Sequence, residues 1–533
     1  MPADLPMTFA IPCSREAPRR LRDVRSWRPR WWIVALGAAL ASSARSAPAR
    51  ADGPPGCSDV GPKQCVARAL DAMGGAAQLE AIHRVALDVI GHTLLMEQSY
   101  RQAPFITAYQ RDKIVLDLAG GRVRDDQHTV WPEADPHEAE SDVSLIVTPR
   151  GGGVHQAAGD HPCGRSSLEA AREVLALGPL RVLLAASAAR DLRYAPAESL
   201  RSTPHAVVAF TWNAVSVRVL LNAYNHLPDA VDTTQQLHDF WYFWGDVQQR
   251  VYWDNWKLLG SVRYPTNEIV ERNGAIWKSS QALDVELEPV LDERRFALDP
   301  AVAQQSAQGT GWSRPFAAGK PVVLAPDVLL YPGAWNATIV KQRDGVVILE
   351  APISGTYTRG LLDEARARYP GVPITAVVST SDSWPHVGGV REAVAQRLPI
   401  YLLDLNRPLL ERLIAAPHTI DPDALQTAPQ PPSWHLVSGK VELGTGANRV
   451  WLIPLRGAAT ERQYMVYFPA HRLLYASDTL VIDPDKHRLY APELLHEVQQ
   501  AVEREHLQVD TVFAMHQEPI AWSAALALLR AQR

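Results

Sequence analysis

The chain has 533 residues and a mass of 58.7 kDa, more than one hydrophobic core normally organises, so its length predicts two or three domains. Hydrophobic residues make up 47% and charged residues 21% of the sequence, which is typical of a globular protein. The net charge of −5 argues against nucleic acid or an anionic membrane surface as a partner.

The first 51 residues have the organisation of a secretory signal peptide. A segment rich in arginine, residues 19–30, precedes an apolar run at residues 31–41, and Ala49-Arg50-Ala51 supplies an A-x-A cleavage site. The apolar run is shorter than the roughly 20 residues that a membrane-spanning helix needs. The alternative is a retained signal that anchors the chain. We predict a periplasmic or secreted protein with no membrane span after signal cleavage.

Cysteine usage fits export. Of the four cysteines, Cys13 lies within the predicted signal. Cys57 and Cys65 are near enough in sequence to close a small disulfide loop in an oxidising compartment. Cys163 is then left over, and its state stays open.

Residues 52–302 show the pattern of an antiparallel sheet accompanied by helices. Helical spacing over residues 63–73 ends at Gly74-Gly75, and residues 166–192 favour an amphipathic helix interrupted at Gly178-Pro179. Alternating apolar residues predict strands within residues 84–118, at 207–212, 217–224, 240–244 and 251–259, and on both sides of Asn273-Gly274. We therefore predict a curved antiparallel sheet over a helix or two.

Parts of this block resemble periplasmic lipoprotein-carrier-like domains. The similarity lies in the first helix ending in Met-Gly-Gly, in the run Tyr-Trp-Asp-Asn-Trp-Lys at residues 252–257, and in residues 291–296. The resemblance implies a domain that binds a lipid or another apolar molecule. Consecutive aromatics at residues 240–244 would point to both faces of a strand. They would line either a core and domain interface or an apolar groove.

Residues 303–315 are polar and predict a linker. The pattern of predicted secondary structure changes after this segment. Strands and helices alternate in residues 316–533, which favours a layered α/β domain. Strands are predicted at residues 338–341, 346–350, 374–378, 400–403, 451–455, 464–468 and 511–515, and helices at 357–369, 390–396 and 522–531.

Residues 380–389, Thr-Ser-Asp-Ser-Trp-Pro-His-Val-Gly-Gly, lie between a predicted strand and a predicted helix. They resemble the T-H-x-H-x-D-H-x-G-G signature of the metallo-β-lactamase superfamily, although two histidines and the aspartate are replaced by Ser381, Ser383 and Pro385. The similarity covers most of residues 316–533. It implies an α+β chain in which the curved antiparallel sheet precedes an αββα metallo-β-lactamase sandwich.

The same resemblance implies the metal ligands. His386 matches the last histidine of the signature, Asp478 follows the strand pair that carries the bridging carboxylate, and His516 ends the last core strand. The mid-domain histidine of the family has no counterpart in residues 457–462, and His471 lies beyond the strand. Two histidines and one carboxylate can hold a single zinc ion with an open position. We therefore predict zinc, one ion at most, on these three residues.

Each of the three predicted ligands also has a purely structural interpretation, as a core residue, a loop cap or a partner of a backbone carbonyl. Asp382 is a further candidate oxygen ligand. Ser381 and Ser383 would be nucleophiles only beside a base, and His418 is interpreted as a loop determinant.

Two functions follow from these observations. The first is an exported, hydrolase-like protein with one zinc ion or none that acts on ester, lactone or related bonds. The alternative is a non-catalytic periplasmic binding protein for a lipid or another apolar ligand, built on a degenerate hydrolase scaffold. Whether the protein is an enzyme stays open at this point.

Overall fold

The computed structural model describes residues 53–98, 105–130, 140–156, 159–307, 311–483 and 487–532. The predicted signal peptide, residues 1–51, lies outside the described residues. Within the described residues, none of the helices has both the length and the hydropathy needed to cross a bilayer.

The first part of the chain is dominated by one antiparallel sheet. Its helices are α1 (Pro62–Met73), α2 (Ala76–Ala81), α3 (Arg165–Leu177), α4 (Val182–Ala188) and α5 (Pro300–Ala307), the last of which covers part of the predicted linker. Its strands are β1 (Arg84–Leu94), β2 (Thr107–Asp117), β3 (Arg122–Val130), β4 (Glu140–Thr148), β5 (Gly151–Gln156), β6 (Gly159–Pro162), β7 (Arg193–Leu200), β8 (Thr203–Trp212), β9 (Val215–Asn222), β10 (Pro228–Gln236), β11 (Asp246–Leu259), β12 (Val262–Arg272) and β13 (Ala275–Leu287).

These strands follow one another as neighbours, except that β1 pairs with β13 and so joins two meanders. Helices α1, α3 and α4 pack on one face, where side chains such as Leu70 and Leu183 meet Val85 and Val123 of the strands. Cys57 and Cys65 form a disulfide bond, and Cys163 is a buried thiol. The predicted antiparallel sheet with accompanying helices is confirmed in this part of the chain.

The strand predicted at residues 240–244 is wrong, because Phe240–Trp244 is a 3-10 helix. The Asp239 side chain accepts a hydrogen bond from the Trp241 N–H at 2.8 Å and caps the helix. Gly245 ends it with a φ of 66°, a conformation that favours glycine. The compact turn places Trp241, Phe243 and Trp244 on one apolar surface.

The second part of the chain, as far as the structure describes it, contains two large sheets and a two-stranded sheet that pairs Ile482–Asp483 with Arg488–Leu489. Its strands are β14 (Val322–Ala325), β15 (Val328–Tyr331), β16 (Ala337–Lys341), β17 (Val346–Leu349), β18 (Ile374–Ser379), β19 (Pro399–Leu403), β20 (Ser433–Val437), β21 (Val441–Leu443), β22 (Val450–Pro454), β23 (Tyr464–Phe468), β24 (Leu473–Tyr475), β25 (Ile482–Asp483), β26 (Arg488–Leu489), β27 (Thr511–Ala514) and β28 (Gln517–Ala521). Its helices are α6 (Gly355–Arg368), α7 (Trp384–Val387), α8 (Val390–Ala395), α9 (Arg407–Ala415), α10 (Ala424–Thr427), α11 (Pro492–Arg504) and α12 (Trp522–Ala531).

Strands β14 to β20 form one sheet in chain order, and β21 to β24 form the other with β27 and β28. Alternate residues of β17 show why the layers stack, since successive strand residues point to opposite faces. Val347 and Leu349 join the core between the two sheets. Val346 and Ile348 pack against helices α6, α8 and α9, and α11 and α12 cover the second sheet. The order of layers is therefore helix, sheet, sheet, helix.

The two parts of the chain meet at the corner that follows β18. The ring of Trp384 contacts Trp241, Phe243 and Trp244, with centroids 4.9 to 5.5 Å away. The Glu97 carbonyl accepts hydrogen bonds from the Trp384 N–H at 3.1 Å and from the Ser383 hydroxyl at 3.1 Å. The 3-10 helix Phe240–Trp244 and the turn after β1 thus hold the loop that carries His386.

Candidate metal centre

The position of His386 depends on two glycines. Helix α7 carries His386 and is followed by Gly388-Gly389. A Cβ atom on Gly388 would overlap the Ile353 carbonyl, and one on Gly389 would overlap the Thr358 hydroxyl. The glycines therefore let α7 and α8 lie directly on the start of α6, which turns His386 into the protein, where it is 2% exposed.

Asp478 and His516 reach the same point from the second sheet. Asp478 lies three residues after β24, and His516 lies two residues after β27, which is the parallel neighbour of β24. The His386 Nε2 atom is 3.5 Å from Asp478 Oδ2, and the His516 Nε2 atom is 3.2 Å from Asp478 Oδ1. One ligand atom from each residue lies within 4.8 Å of the others. The structure therefore brings together all three residues that the sequence analysis selected.

These separations fit a metal ion better than direct hydrogen bonds. Two ligands about 2.0–2.1 Å from a tetrahedral zinc ion lie about 3.3 Å apart. The His516 Nε2 and Asp478 Oδ1 atoms are 3.2 Å apart, but they do not have the alignment of a hydrogen bond. Among the described residues, Asp478 Oδ1 and His386 Nδ1 are buried without a hydrogen-bond partner. The donor set of two imidazoles and one carboxylate is also the set that zinc prefers.

The surroundings favour the ligand forms of His386 and Asp478. Burial alone would lower the pKa of His516, but the Asp478 carboxylate and the Ala334 carbonyl outweigh it and raise that pKa, so zinc displaces a proton from His516. The His516 Nδ1 atom lies 2.7 Å from the Ala334 carbonyl oxygen, so Nδ1 carries a proton and Nε2 is the nitrogen that faces Asp478. Burial lowers the pKa of His386 to about 4, which keeps that imidazole neutral. Burial alone would raise the pKa of Asp478, but the two imidazoles outweigh it and hold that pKa below its usual value.

A buried carboxyl group, that of Glu350, holds the loop that carries His386. Glu350, at the end of β17, accepts hydrogen bonds from the Thr380 N–H at 3.2 Å and the Tyr475 hydroxyl at 3.1 Å, and it also bonds the Thr380 hydroxyl. The Thr380 hydroxyl lies 2.7 Å from that of Ser477. Burial raises the pKa of Glu350 to about 8. The two loops that carry His386 and Asp478 are therefore linked through a protonated Glu350.

We expect Glu350 to contribute a loss of stability to the zinc-free protein as the pH rises from about 5 to 8. The folded Glu350 keeps its proton up to a pKa of about 8, whereas the unfolded side chain loses it near 4.5. In this window the folded state binds more protons, so the free energy of unfolding decreases by up to about 1.4 kcal/mol per pH unit. Glu350→Gln should flatten this dependence in urea titrations at pH 6 and 8.

The exposed Glu461 provides the matched control, because Glu461→Gln should leave the slope unchanged. Equal slopes for wild type and Glu350→Gln would contradict the assignment of this proton to Glu350.

The candidate ligand Asp382 takes part in a different interaction. Its Oδ2 atom lies 2.5 Å from Arg462 Nε, and the side chains of Asp382 and Arg462 are 4% and 8% exposed. A second Arg462 nitrogen donates to the Leu405 carbonyl at 2.6 Å. Next in the chain, the Gln463 side chain accepts a hydrogen bond from the Asp478 N–H at 3.2 Å. The segment without a mid-domain histidine thus contributes a buried arginine.

The other candidate residues occupy structural positions. The Ser381 hydroxyl accepts a hydrogen bond from the Ser383 N–H at 3.2 Å, and the Ser383 hydroxyl donates to Glu97. The His418 ring packs against Gly245 of the first part of the chain, as expected of a loop determinant. His471 lies 2.7 Å from the Asn448 side chain, and the three-residue cluster does not include it.

Aromatic side chains cover the centre beside His516. The Trp335 ring lies 5.7 Å from the His516 ring and is 6% exposed. Trp312 contacts Trp335 at 5.4 Å and stacks on Tyr242 at 4.9 Å. The Tyr242 hydroxyl donates to the Ile353 carbonyl, so residues of the first part of the chain complete this cover. Sequence reasoning missed Trp335, Arg462 and Glu350, because each acquires its role only through distant partners.

No protein-family model and no curated protein matches the sequence. Among solved structures, the chain is similar to the DIM-1 metallo-β-lactamase exposed to ceftazidime (15% identity, 41% of this chain and 100% of that chain, TM-score 0.32). It is also similar to a metallo-β-lactamase from Pontibacter korlensis (16% identity, 39% of this chain and 98% of that chain, TM-score 0.31). A third similar structure is that of a stereoselective inverting sec-alkylsulfatase from a Pseudomonas species (15% identity, 39% of this chain, TM-score 0.29). The chain spans 40% of the length of that sulfatase. TM-scores this low support no conclusion about the chemistry of this chain.

Proposed function

We propose that this chain is an exported hydrolase that uses one zinc ion, held by His386, Asp478 and His516, to cleave an ester, lactone or related bond. The supporting observation is the convergence of two imidazoles and one carboxylate, whose ligand atoms lie within 4.8 Å of one another at a buried site. Bound zinc supplies a Lewis acid that polarises a carbonyl group and lowers the pKa of water.

The protein's own groups prepare this chemistry. The Ala334 carbonyl fixes the His516 ring with Nε2 facing Asp478, and burial keeps His386 neutral. Asp478 stays ionised between the two imidazoles. Its Oδ1 atom accepts no hydrogen bond from the described residues, so we assign to Oδ1 the proton released by the attacking water. The Thr380–Glu350–Tyr475 hydrogen bonds keep the two ligand-bearing loops in register.

The test combines metal analysis with hydrolysis assays. Protein purified with added zinc should contain about one zinc ion per chain, as one three-residue site implies. It should hydrolyse p-nitrophenyl acetate or a simple lactone, and a chelator should abolish this activity until zinc is restored. Protein that stays free of zinc after supplementation, or hydrolysis that ignores the chelator, would exclude the proposal.

The burial of the three side chains favours one other candidate function. His386 and Asp478 are only 2% and 4% exposed, which a non-catalytic module would also tolerate. In that case the protein would bind a lipid or another apolar molecule, and the second part of the chain would act as a scaffold. Lipid found by mass spectrometry in metal-free preparations would support this candidate, and chelator-sensitive hydrolysis would exclude it.

A further inference from the structure

The segment 311–316 links the two parts of the chain and passes beside the metal centre without forming a helix or a strand. Its first aromatic residue, Trp312, contacts Trp335, and Trp335 contacts the His516 ring. Its second, Phe316, lies 5.2 Å from the ring of Tyr357 in α6. The segment therefore follows the rim of the aromatic cover described above.

Arg314 lies between these two aromatic residues in the chain and has no acceptor among the described residues. Its guanidinium carbon is 5.7 Å from the Trp335 ring centroid, and the side chain is half-buried. It forms no hydrogen bond or ion pair with the described residues. Arg272, which also stacks on an indole, is instead bonded to Gln249 and Asp239. A guanidinium group has five N–H donors, so Arg314 has unused hydrogen-bonding capacity at this rim.

A second unused donor belongs to the apolar cluster that contains Trp335. Tyr357 is 8% exposed, and its hydroxyl forms no hydrogen bond with a described residue, although buried tyrosine hydroxyls usually have a partner. Burial raises the pKa of Tyr357 to about 12, and the charge of Arg314 partly opposes this rise. Arg314 lies over the Trp335 ring, and Trp335 shares one apolar cluster with Tyr357, so both donors border the same aromatic surface.

We propose that Arg314 and Tyr357 bind an oxyanion, a carboxylate, sulfate or phosphate group, beside the metal centre. The planar guanidinium suits two oxygens of such a group, and a tyrosine hydroxyl can donate to a third or share one of them. Trp335 and Phe316 flank the donors with apolar surface, which strengthens charged hydrogen bonds.

This site deepens the proposed function by naming a class of substrate. Trp335 contacts both Arg314 and His516, so the anion and the zinc site lie within the span of one substrate. The substrate is then an ester or lactone that carries an anionic group away from the scissile bond. This assignment to a substrate rests on the proposed hydrolysis, whereas the anion site does not require zinc.

Anion binding is tested first on zinc-free full-length protein. Sulfate, phosphate and acetate are titrated at constant ionic strength against chloride, with tryptophan fluorescence as the signal because Trp335 and Trp312 line the site. We expect saturable binding of at least one of them. Arg314→Met should weaken it on the order of tenfold or more, and Tyr357→Phe by a smaller factor.

Arg343→Met, at an exposed arginine before a turn, is the matched control and should bind like wild type. Binding of sulfate or phosphate alone would identify a tetrahedral anion, and binding of acetate alone would identify a carboxylate. The absence of saturable binding in wild type, or equal affinity in wild type and Arg314→Met, would overturn the proposal.

A second measurement connects the anion to catalysis. Zinc-loaded protein is assayed with paired esters that differ only in a carboxylate on the acyl group. Arg314→Met should raise KM for the anionic ester on the order of tenfold and leave the neutral ester unchanged. Equal KM changes for both esters would refute the substrate assignment. A protein that binds anions but neither zinc nor ester would leave the anion site standing and remove the proposed hydrolysis.

Discussion

Replacement of Asp478 by alanine is expected to weaken zinc binding by at least about 100-fold, because even second-shell changes cost 10–100-fold in metal affinity. Asp478 is the only carboxylate of the cluster found among the described residues, and both imidazoles face its oxygens. Its loss leaves two neutral imidazoles, which cannot offset the charge of the ion. The measurement is a competition titration with a chromophoric zinc chelator.

Asp510→Ala is the matched control, because Asp510 is an exposed aspartate paired with Arg472. It should bind zinc like wild type. Thermal unfolding gives a second readout, since a ligand that binds only the folded state raises Tm, and a tighter ligand raises it more at the same concentration. Zinc should raise the Tm of wild type and Asp510→Ala but not that of Asp478→Ala. Equal zinc affinity for all three proteins would show that Asp478 only caps its loop.

Local sequence patterns predict much of the architecture. Apolar alternation predicts the strand pairs of the large sheet, and the turn at Asn273-Gly274 predicts the β12–β13 hairpin that the structure contains. The aromatic run at residues 240–244 misleads, because aromatic residues favour strands in general. The preceding Asp239 and the following Gly245 are the local signals of a capped helical turn, and here they outweigh that preference.

The candidate site divides in a similar way. His386, Asp478 and His516 each follow a predicted strand within a motif, so their common location is accessible from sequence order. The interactions that support these three residues cannot be predicted from sequence order. The proton of Glu350 exists because folding buries the carboxyl group, and Ala334 contributes only a backbone carbonyl. Arg462 finds Asp382 across 80 residues, and no spacing rule reveals such a pair.

The buried pair Arg462–Asp382 is expected to give the largest effect on stability. Arg462→Met removes the arginine that neutralises a buried carboxylate, which costs about 3–5 kcal/mol in the free energy of unfolding. Asp382→Asn should be similarly destabilising, because it leaves the guanidinium uncompensated. The double variant should recover most of the loss, since it buries neither charge. Urea unfolding of the four proteins closes the double-mutant cycle.

The exposed pair Arg407–Glu411 is the control, with the same Nε contact to a carboxylate at 2.7 Å and side chains about half exposed. Arg407→Met should cost no more than about 1 kcal/mol. The cycle also decides the role of Asp382 at the metal centre. If Asp382 only pairs with Arg462, Asp382→Asn keeps its zinc affinity, whereas a zinc ligand would lose it. An Arg462→Met variant no less stable than Arg407→Met would contradict the buried pair, and Asp382 would again be a candidate ligand.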